Sequence, residues 1–178
     1  MTFLEHYTKT VLPKLQKDLA IQNVLSAPRI MKVVVNAGVG KHFREDKDID
    51  NVEKTLIRIT GQKPIRAKAK KSISSFKVRE GMVVGLVVTL RGKRMYDFVE
   101  KLVHTTLPRI RDFRGLEQKN VDTHGNCTIG FREHMAFPEI RSDEIERIHG
   151  LEVTLVTNAG THARGLALFK ALGFPFKT

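Results

Sequence analysis

Residues 60–90 read TGQKPIRAKAKKSISSFKVREGMVVGLVVTL, and this stretch decides the fold class. Its last part, Met82 to Leu90, is uncharged and rich in valine, the composition of a strand that turns at least one face to a core. Its first part, Lys63 to Ala69, alternates loosely around Ile65, Ala67 and Ala69 with basic residues on the other face, which predicts a short strand. Between them KKSISSFKVREG, residues 70–81, is basic and contains serine. The expected unit is therefore a pair of strands joined through a protruding basic hairpin tip over about 69–82.

Working outward towards the N-terminus, the acidic cluster Glu45 to Asp50 favours a helix start, with Ile49, Val52, Leu56 and Ile59 turned inward and Gly61 as its stop. Before it, RIMKVVVN at 29–36 reads as a strand closed by the turn Ala37-Gly38-Val39-Gly40. Residues 3–23 carry Phe3, Leu4, Tyr7, Val11, Leu15 and Leu19 at steps of three and four, an amphipathic helix that Pro13 kinks or restarts.

Towards the C-terminus a helix follows Gly92 with Met95, Phe98, Val99, Leu102 and Val103 on one face, and Pro108 is expected to end it. The polar stretch Arg109 to Gly125 has no clear period. Strands are expected at Cys127 to Arg132 and Leu151 to Thr157, and a short helix at Asp143 to Ile148. A last helix near Arg164 to Leu172 should point Leu166, Phe169 and Leu172 inward. This order argues for an α+β fold: one domain over 1–178, a largely antiparallel sheet with helices packed on one face, and the basic hairpin projecting from it.

With 178 residues and 41% hydrophobic composition, the chain is long enough for a real core and is not a disordered polyelectrolyte. No apolar run reaches the roughly 18 residues needed to cross a bilayer, and the charged N-terminus lacks the apolar block of a signal peptide, so a cytoplasmic protein is expected. The net charge is +12 and is unevenly placed. Residues 61–80 hold Lys63, Arg66, Lys68, Lys70, Lys71, Lys77 and Arg79 against Glu80 alone, and residues 91–116 add a further +4. About a quarter of the chain thus supplies +10 of the +12, the pattern of a surface that neutralises phosphates. The basic segment has no large apolar helical face, which argues against a membrane surface.

Catalytic and metal chemistry find no support. The turn Asn36-Ala37-Gly38-Val39-Gly40-Lys41-His42 has Val35 where a phosphate loop needs its first glycine and His42 where it needs Ser or Thr. A dinucleotide fingerprint would need glycine at Phe43. One cysteine and seven histidines have no metal-ligand spacing; the histidines are expected at the surface and Cys127 as an apolar filler. No enzyme, cofactor or metal is expected. RNA recognition through paired aromatics is also excluded, because Met82 to Leu90 has none. What remains is a sheet face carrying Lys, Arg and small polar groups, with Asn36, Gln62 and Thr89 beside them, suited to phosphates and 2′-hydroxyls. A non-ribosomal RNA-binding architectural protein or RNA chaperone fits the charge equally well.

Longer motifs separate those readings. Pro28-Arg29, Asn36-x-Gly38-Val39-Gly40, the block Thr60 to Gly81, VTLRGKRMYDF at 88–98, PRIRDFRG at 108–115, GNCTIGFREHMAFPEI at 125–140 and the final GFPF at 173–176 stand in order along nearly the whole chain. In these the sequence resembles the large-subunit ribosomal protein five family, bacterial type, which binds 5S ribosomal RNA. The resemblance implies a non-enzymatic constituent of the large subunit, in the central protuberance. Its expected partners are 5S rRNA, adjacent large-subunit rRNA, peptidyl-site tRNA, a protein of the small-subunit head and other 5S-associated ribosomal proteins, rather than DNA or a membrane. Carried over by motif, the rRNA contacts are Asn36, Gln62, Lys63, Arg66, Lys68, Ser72, Thr89 and Arg91. The tRNA-facing tip is Lys77, Val78, Arg79 and Glu80. Arg109, Arg111 and Arg114 are weaker candidates for an intersubunit or rRNA contact. Two departures stand out: Ala37 replaces a larger residue common in the family, and Thr161-His162-Ala163-Arg164 replaces an acidic start to the last helix.

Overall fold

The computed structural model describes residues 2–40, 46–141 and 147–177. It has an α+β fold with an antiparallel sheet of five strands: β1 (Ile30–Gly38), β2 (Ile65–Lys68), β3 (Val83–Leu90), β4 (Cys127–Phe131) and β5 (Leu151–Thr157), in the order β2-β3-β1-β5-β4. The helices are α1 (Phe3–His6), α2 (Leu12–Asp18), α3 (Asp46–Thr60), α4 (Gly92–Lys101) and α5 (His162–Ala171). Period-two burial runs through the central strands. In β1 Val33, Val35 and Ala37 are buried while Val34 and Asn36 between them are half-exposed, and β5 buries Leu151, Val153 and Leu155 around Glu152 and Thr154. Such alternation gives a sheet one core face and one open face.

Contacts gather into two compact units. The first comprises Met1–Val33, Leu90–Ile129 and Thr154–Thr178, the second Val34–Thr89 and Gly130–Val153. Both are assembled from separated stretches of chain.

In the first unit, the N-terminal apolar stripe is buried at Phe3, Tyr7, Val11 and Leu15, and α1 packs on α4 and α2 on α5. The helical path is widened in two places. Tyr7–Val11 and Leu102–Thr106 form π turns, in which Leu12 N–H donates to Tyr7 O and Leu107 N–H to Leu102 O. Each bond ends on the residue directly before a proline, Pro13 or Pro108, which has no N–H and whose ring crowds the carbonyl four residues back. Pro13 therefore re-registers the helix, as its position predicts. Pro108 does not terminate at once, because a short 3-10 turn, Leu107–Arg109, follows the π turn. The first helical segment is shorter than predicted, since α2 stops at Asp18 and Ala20 takes φ +50°.

The last helix starts earlier than predicted, at His162, behind Thr161, whose Oγ1 accepts from Arg164 N–H at 3.4 Å. A hydroxyl cap thus replaces the missing acidic start. Its inward residues are Gly165, Leu168 and Phe169, with Leu172 just beyond; Leu166 is only half-buried. The reason is Gly165. A Cβ there would lie 2.4 Å from Gly125 Cα, so the helix backbone rests directly on the Gly125 turn and its buried face is rotated to that contact.

In the second unit, α3 buries Ile49, Val52, Leu56 and Ile59 as expected, and Gly61 at φ +68° ends it with its N–H on Ile57 O. Glu45 and residues 41–43, on which part of the helix-start and phosphate-loop readings fell, lie outside the described residues, as does most of the predicted helix Asp143 to Ile148. β2 forms within the predicted short strand. It is an edge strand in which Arg66 and Lys68 are exposed, Ala67 is half-buried and Ile65 is 75% accessible, so its alternation marks pairing with β3 rather than a deeply buried side. The pairing is antiparallel, Ile65 opposite Val87 and Ala67 opposite Gly85, with a register shift after Ala67. The prediction of surface histidines fails at two positions: His134 and His149 are 2% and 5% exposed and stack with ring centroids 4.1 Å apart. Cys127, in the first unit, is buried as expected, and burial raises its thiol pKa to about 12, which leaves it an inert filler.

Candidate nucleic-acid interface

Three neutral residues expected at the RNA surface meet around β3. Gln62 follows the end of α3, where its N–H donates to Thr60 Oγ1 at 3.3 Å and its carbonyl accepts from the same hydroxyl at 3.0 Å. From that anchored backbone its side-chain Nε2 donates to Thr89 O at 3.3 Å. Thr89 itself is exposed. Four residues back on the same face of β3, Gly85 has no side chain, and Asn36 Oδ1 fills the space 3.5 Å from where its Cβ would stand. Asn36 on β1 and Gln62 behind α3 thus both approach β3, with Thr89 exposed and Asn36 and Gln62 half-buried beside it.

The cations divide into two kinds. Arg66, on exposed β2, turns its guanidinium back onto α3: Nε donates to Glu53 Oε2 at 2.8 Å and Nη2 to Asp50 Oδ1 at 2.5 Å. The hydrogen bonds it donates to Glu53 first and Asp50 second raise its pKa further. Glu53 has a side chain only 8% exposed, and Lys63 Nζ lies 3.7 Å from its other oxygen. Arg66 is therefore spent on holding the edge strand to α3 and compensating a buried carboxylate. Lys68, Lys70, Lys71, Lys77 and Arg79 are exposed and make no ion pair among the described residues. No carboxylate stands between Gly61 and Arg79 in sequence.

The tip is a closed small loop. Ile73 and Val78 exchange backbone hydrogen bonds at 2.9 and 3.2 Å around a 3-10 turn, Ser74–Phe76, and Lys77 takes φ +53°. Ser72, expected to touch rRNA, accepts Glu80 N–H on its Oγ at 2.9 Å, and Arg79 N–H points at Met82 Sδ. These bonds fix the direction of the Lys77 to Glu80 segment. The exposed Phe76 on the same turn was not among the residues singled out from sequence; an aromatic inside a basic, serine-rich loop is the signal that marks it.

Arg91, Arg109, Arg111 and Arg114 belong to the first unit. Arg91 is the exposed N-cap residue of α4, with no side-chain capping bond. Arg109 closes the 3-10 turn, and Arg111 and Arg114 flank Asp112, which sits at φ +54°; all three arginines are exposed. Among the described residues no group of His, Cys, Asp and Glu is arranged to hold a metal. No described helix is long and apolar enough to cross a membrane.

An α+β chain whose basic hairpin makes no ion pair among the described residues presents a surface suited to phosphate, and comparison with known proteins makes the class of protein specific. The model of ribosomal protein L5 matches residues 23–79, and a second model, of the C-terminus of the same ribosomal family, matches residues 83–176. Curated relatives named large ribosomal subunit protein uL5 include that of Kocuria rhizophila, 51% identical over 99% of this chain and 93% of its own length. That of Halothermothrix orenii is 49% identical over 97% and 96%, and that of Prochlorococcus marinus 47% identical over 100% and 99%. The chain belongs to the L5 family of ribosomal proteins, a family of structural components and not of enzymes.

Proposed function

We propose that the chain is a cytoplasmic structural constituent of the large ribosomal subunit, and that residues 1–178 act as one RNA-binding domain. It binds 5S rRNA and adjacent large-subunit rRNA in the central protuberance. The hairpin tip, Lys77 to Glu80, contacts peptidyl-site tRNA, another edge bridges to the small-subunit head, and Arg109, Arg111 and Arg114 serve as a secondary intersubunit or rRNA contact. The observation that carries the reading is the gathering of Asn36, Gln62 and Thr89 around β3 next to a hairpin whose cations make no ion pair among the described residues. Backbone-held polar groups beside uncompensated positive charge fit sugar hydroxyls and phosphates.

Within this reading Lys63, Lys68 and Arg91 neutralise phosphate, Ser72 shapes the hairpin, and Arg66 serves the interface indirectly by fixing β2. The test is a salt-titrated binding measurement with isolated 5S rRNA and an unrelated duplex of equal length as competitor. Tight, salt-sensitive binding that the competitor does not displace is expected. Equal affinity for both RNAs would return the chain to a general RNA chaperone.

A further inference from the structure

Beside the hairpin the second unit has an open groove whose walls are Ile73, Phe76 and Val84 and whose rim carries Lys70, Lys71 and Lys77. Phe76 is 72% exposed and Ile73 46%, although the Ile73 to Val78 backbone exchange closes their loop. An exposed aromatic that a closed turn presents to solvent, in a groove with no carboxylate among its described lining residues, is unfavourable for the isolated chain and marks a contact. The chemistry selects the occupant. Apolar walls with an aromatic face take a flat, weakly hydrated ring, and three ammonium groups around them take the phosphates on either side. An apolar protein segment would gain nothing from the lysines, and a paired duplex cannot bring a base to the wall.

We infer that this groove is a binding site for one unstacked nucleotide of a bound RNA, its base laid on Phe76 and its flanking phosphates held by Lys70, Lys71 and Lys77. The inference rests on the proposed RNA-binding function and adds to it a site for single-stranded RNA, separate from the polar group on β3. Phosphate contact there gives affinity, and the ring makes that affinity depend on an extruded base.

The chain contains no tryptophan, so full-length protein carrying Phe76→Trp reports on this groove alone. The probes are a twelve-residue oligouridylate, an RNA duplex of the same length and polyglutamate, at low salt, with binding followed separately by the anisotropy of labelled RNA. Saturating oligouridylate should reduce the indole emission by half or more, while duplex leaves it nearly unchanged. Phe76→Leu should weaken oligouridylate binding roughly fivefold or more, the lower end of the loss seen when a base-stacking ring is removed. Unchanged emission at saturation, quenching by duplex or polyglutamate equal to that by oligouridylate, or equal affinity of the parent and Phe76→Leu would each overturn the inference. Tight 5S rRNA binding by the Phe76→Trp protein without quenching by oligouridylate overturns the groove and leaves the 5S function standing. Quenching by oligouridylate in a protein that ignores 5S rRNA does the reverse. Phe76 is exposed, so folding of both variants is secure and is checked by thermal melting.

Discussion

At the residue scale, two details set local stability. Gly165 and Gly125 touch through their backbones: a Cβ on Gly165 would meet Gly125 Cα at 2.4 Å and Gly125 O at 2.6 Å, with no flexible atom to give way. Gly165→Ala is expected to cost about 1–3 kcal/mol through overpacking, read as a lower urea midpoint. Gly130→Ala is the control, because nothing lies within 4 Å of its Cβ position; it should be neutral or slightly stabilising.

The second detail is the buried pair His134 and His149. His149 N–H lies 3.3 Å from His134 Nδ1, and His134 N–H donates to His149 O at 3.1 Å. Desolvation, then repulsion from His134, lowers the His149 pKa to about 4; desolvation likewise lowers that of His134, opposed by the His149 backbone bond and the Glu133 charge. Both imidazoles are thus neutral in the folded chain at pH values where the unfolded chain, with pKa near 6.5, already takes up protons. The stability is intact above about pH 6.5 and falls as pH drops from there towards about 4. The parent should lose on the order of 2 kcal/mol between pH 7 and pH 5 beyond any loss seen in His149→Phe, which keeps a stacked ring that cannot titrate. Parallel pH profiles of the two proteins in urea titrations would refute this.

At the scale of elements, the legible parts were those with a local cause. Gly61 stops α3 because the left-handed region there favours glycine, and Leu151 to Thr157 alternates cleanly, so both boundaries follow from sequence. The failures came from long-range packing. The alternation around Ile65 does not tell which strand is the sheet edge; strand order makes it β2 and leaves Ile65 75% accessible. Leu168 rather than Leu166 faces inward because the helix leans on Gly125, far away in sequence. For the candidate site, charge and the Asn36, Gln62 and Thr89 motif were readable, but the partner of each cation was not. Arg66 and Lys68 look alike in sequence, whereas Arg66 is bound to Asp50 and Glu53. Arg66→Gln should therefore lower the melting temperature, since it strips the buried Glu53 of its closest cation, with Lys63 left at 3.7 Å. Lys68→Gln should leave melting unchanged and weaken only RNA binding. Melting curves and binding isotherms on both variants test the division, and a stable Arg66→Gln protein would make Arg66 a direct contact instead.

At the scale of the whole molecule, the net charge of +12 matters only as far as it is free to meet phosphate. In the segment 61–80 seven cations face one carboxylate in sequence, and the structure removes one, Arg66, into the fold. Six others are exposed and make no hydrogen-bonded ion pair among the described residues: Lys63, whose Nζ stays 3.7 Å from Glu53, and Lys68, Lys70, Lys71, Lys77 and Arg79. If each neutralises one phosphate, their release of counterions contributes a slope of about −4 to −5 to the dependence of log affinity on log salt. Between 50 and 200 mM salt that amounts to a loss of roughly several hundredfold to a thousandfold in affinity for 5S rRNA. Changing all six to glutamine should flatten the slope by that amount while leaving the melting temperature nearly as it was, because none of the six is buried and Arg66 keeps its pair with Glu53. The slope separates this surface from one that binds through hydrogen bonds alone, which would weaken little with salt. A six-glutamine variant that kept the parent's slope would place the phosphate contacts elsewhere, on Arg91 and the arginines from Arg109 to Arg114, and would remove the hairpin from the RNA interface.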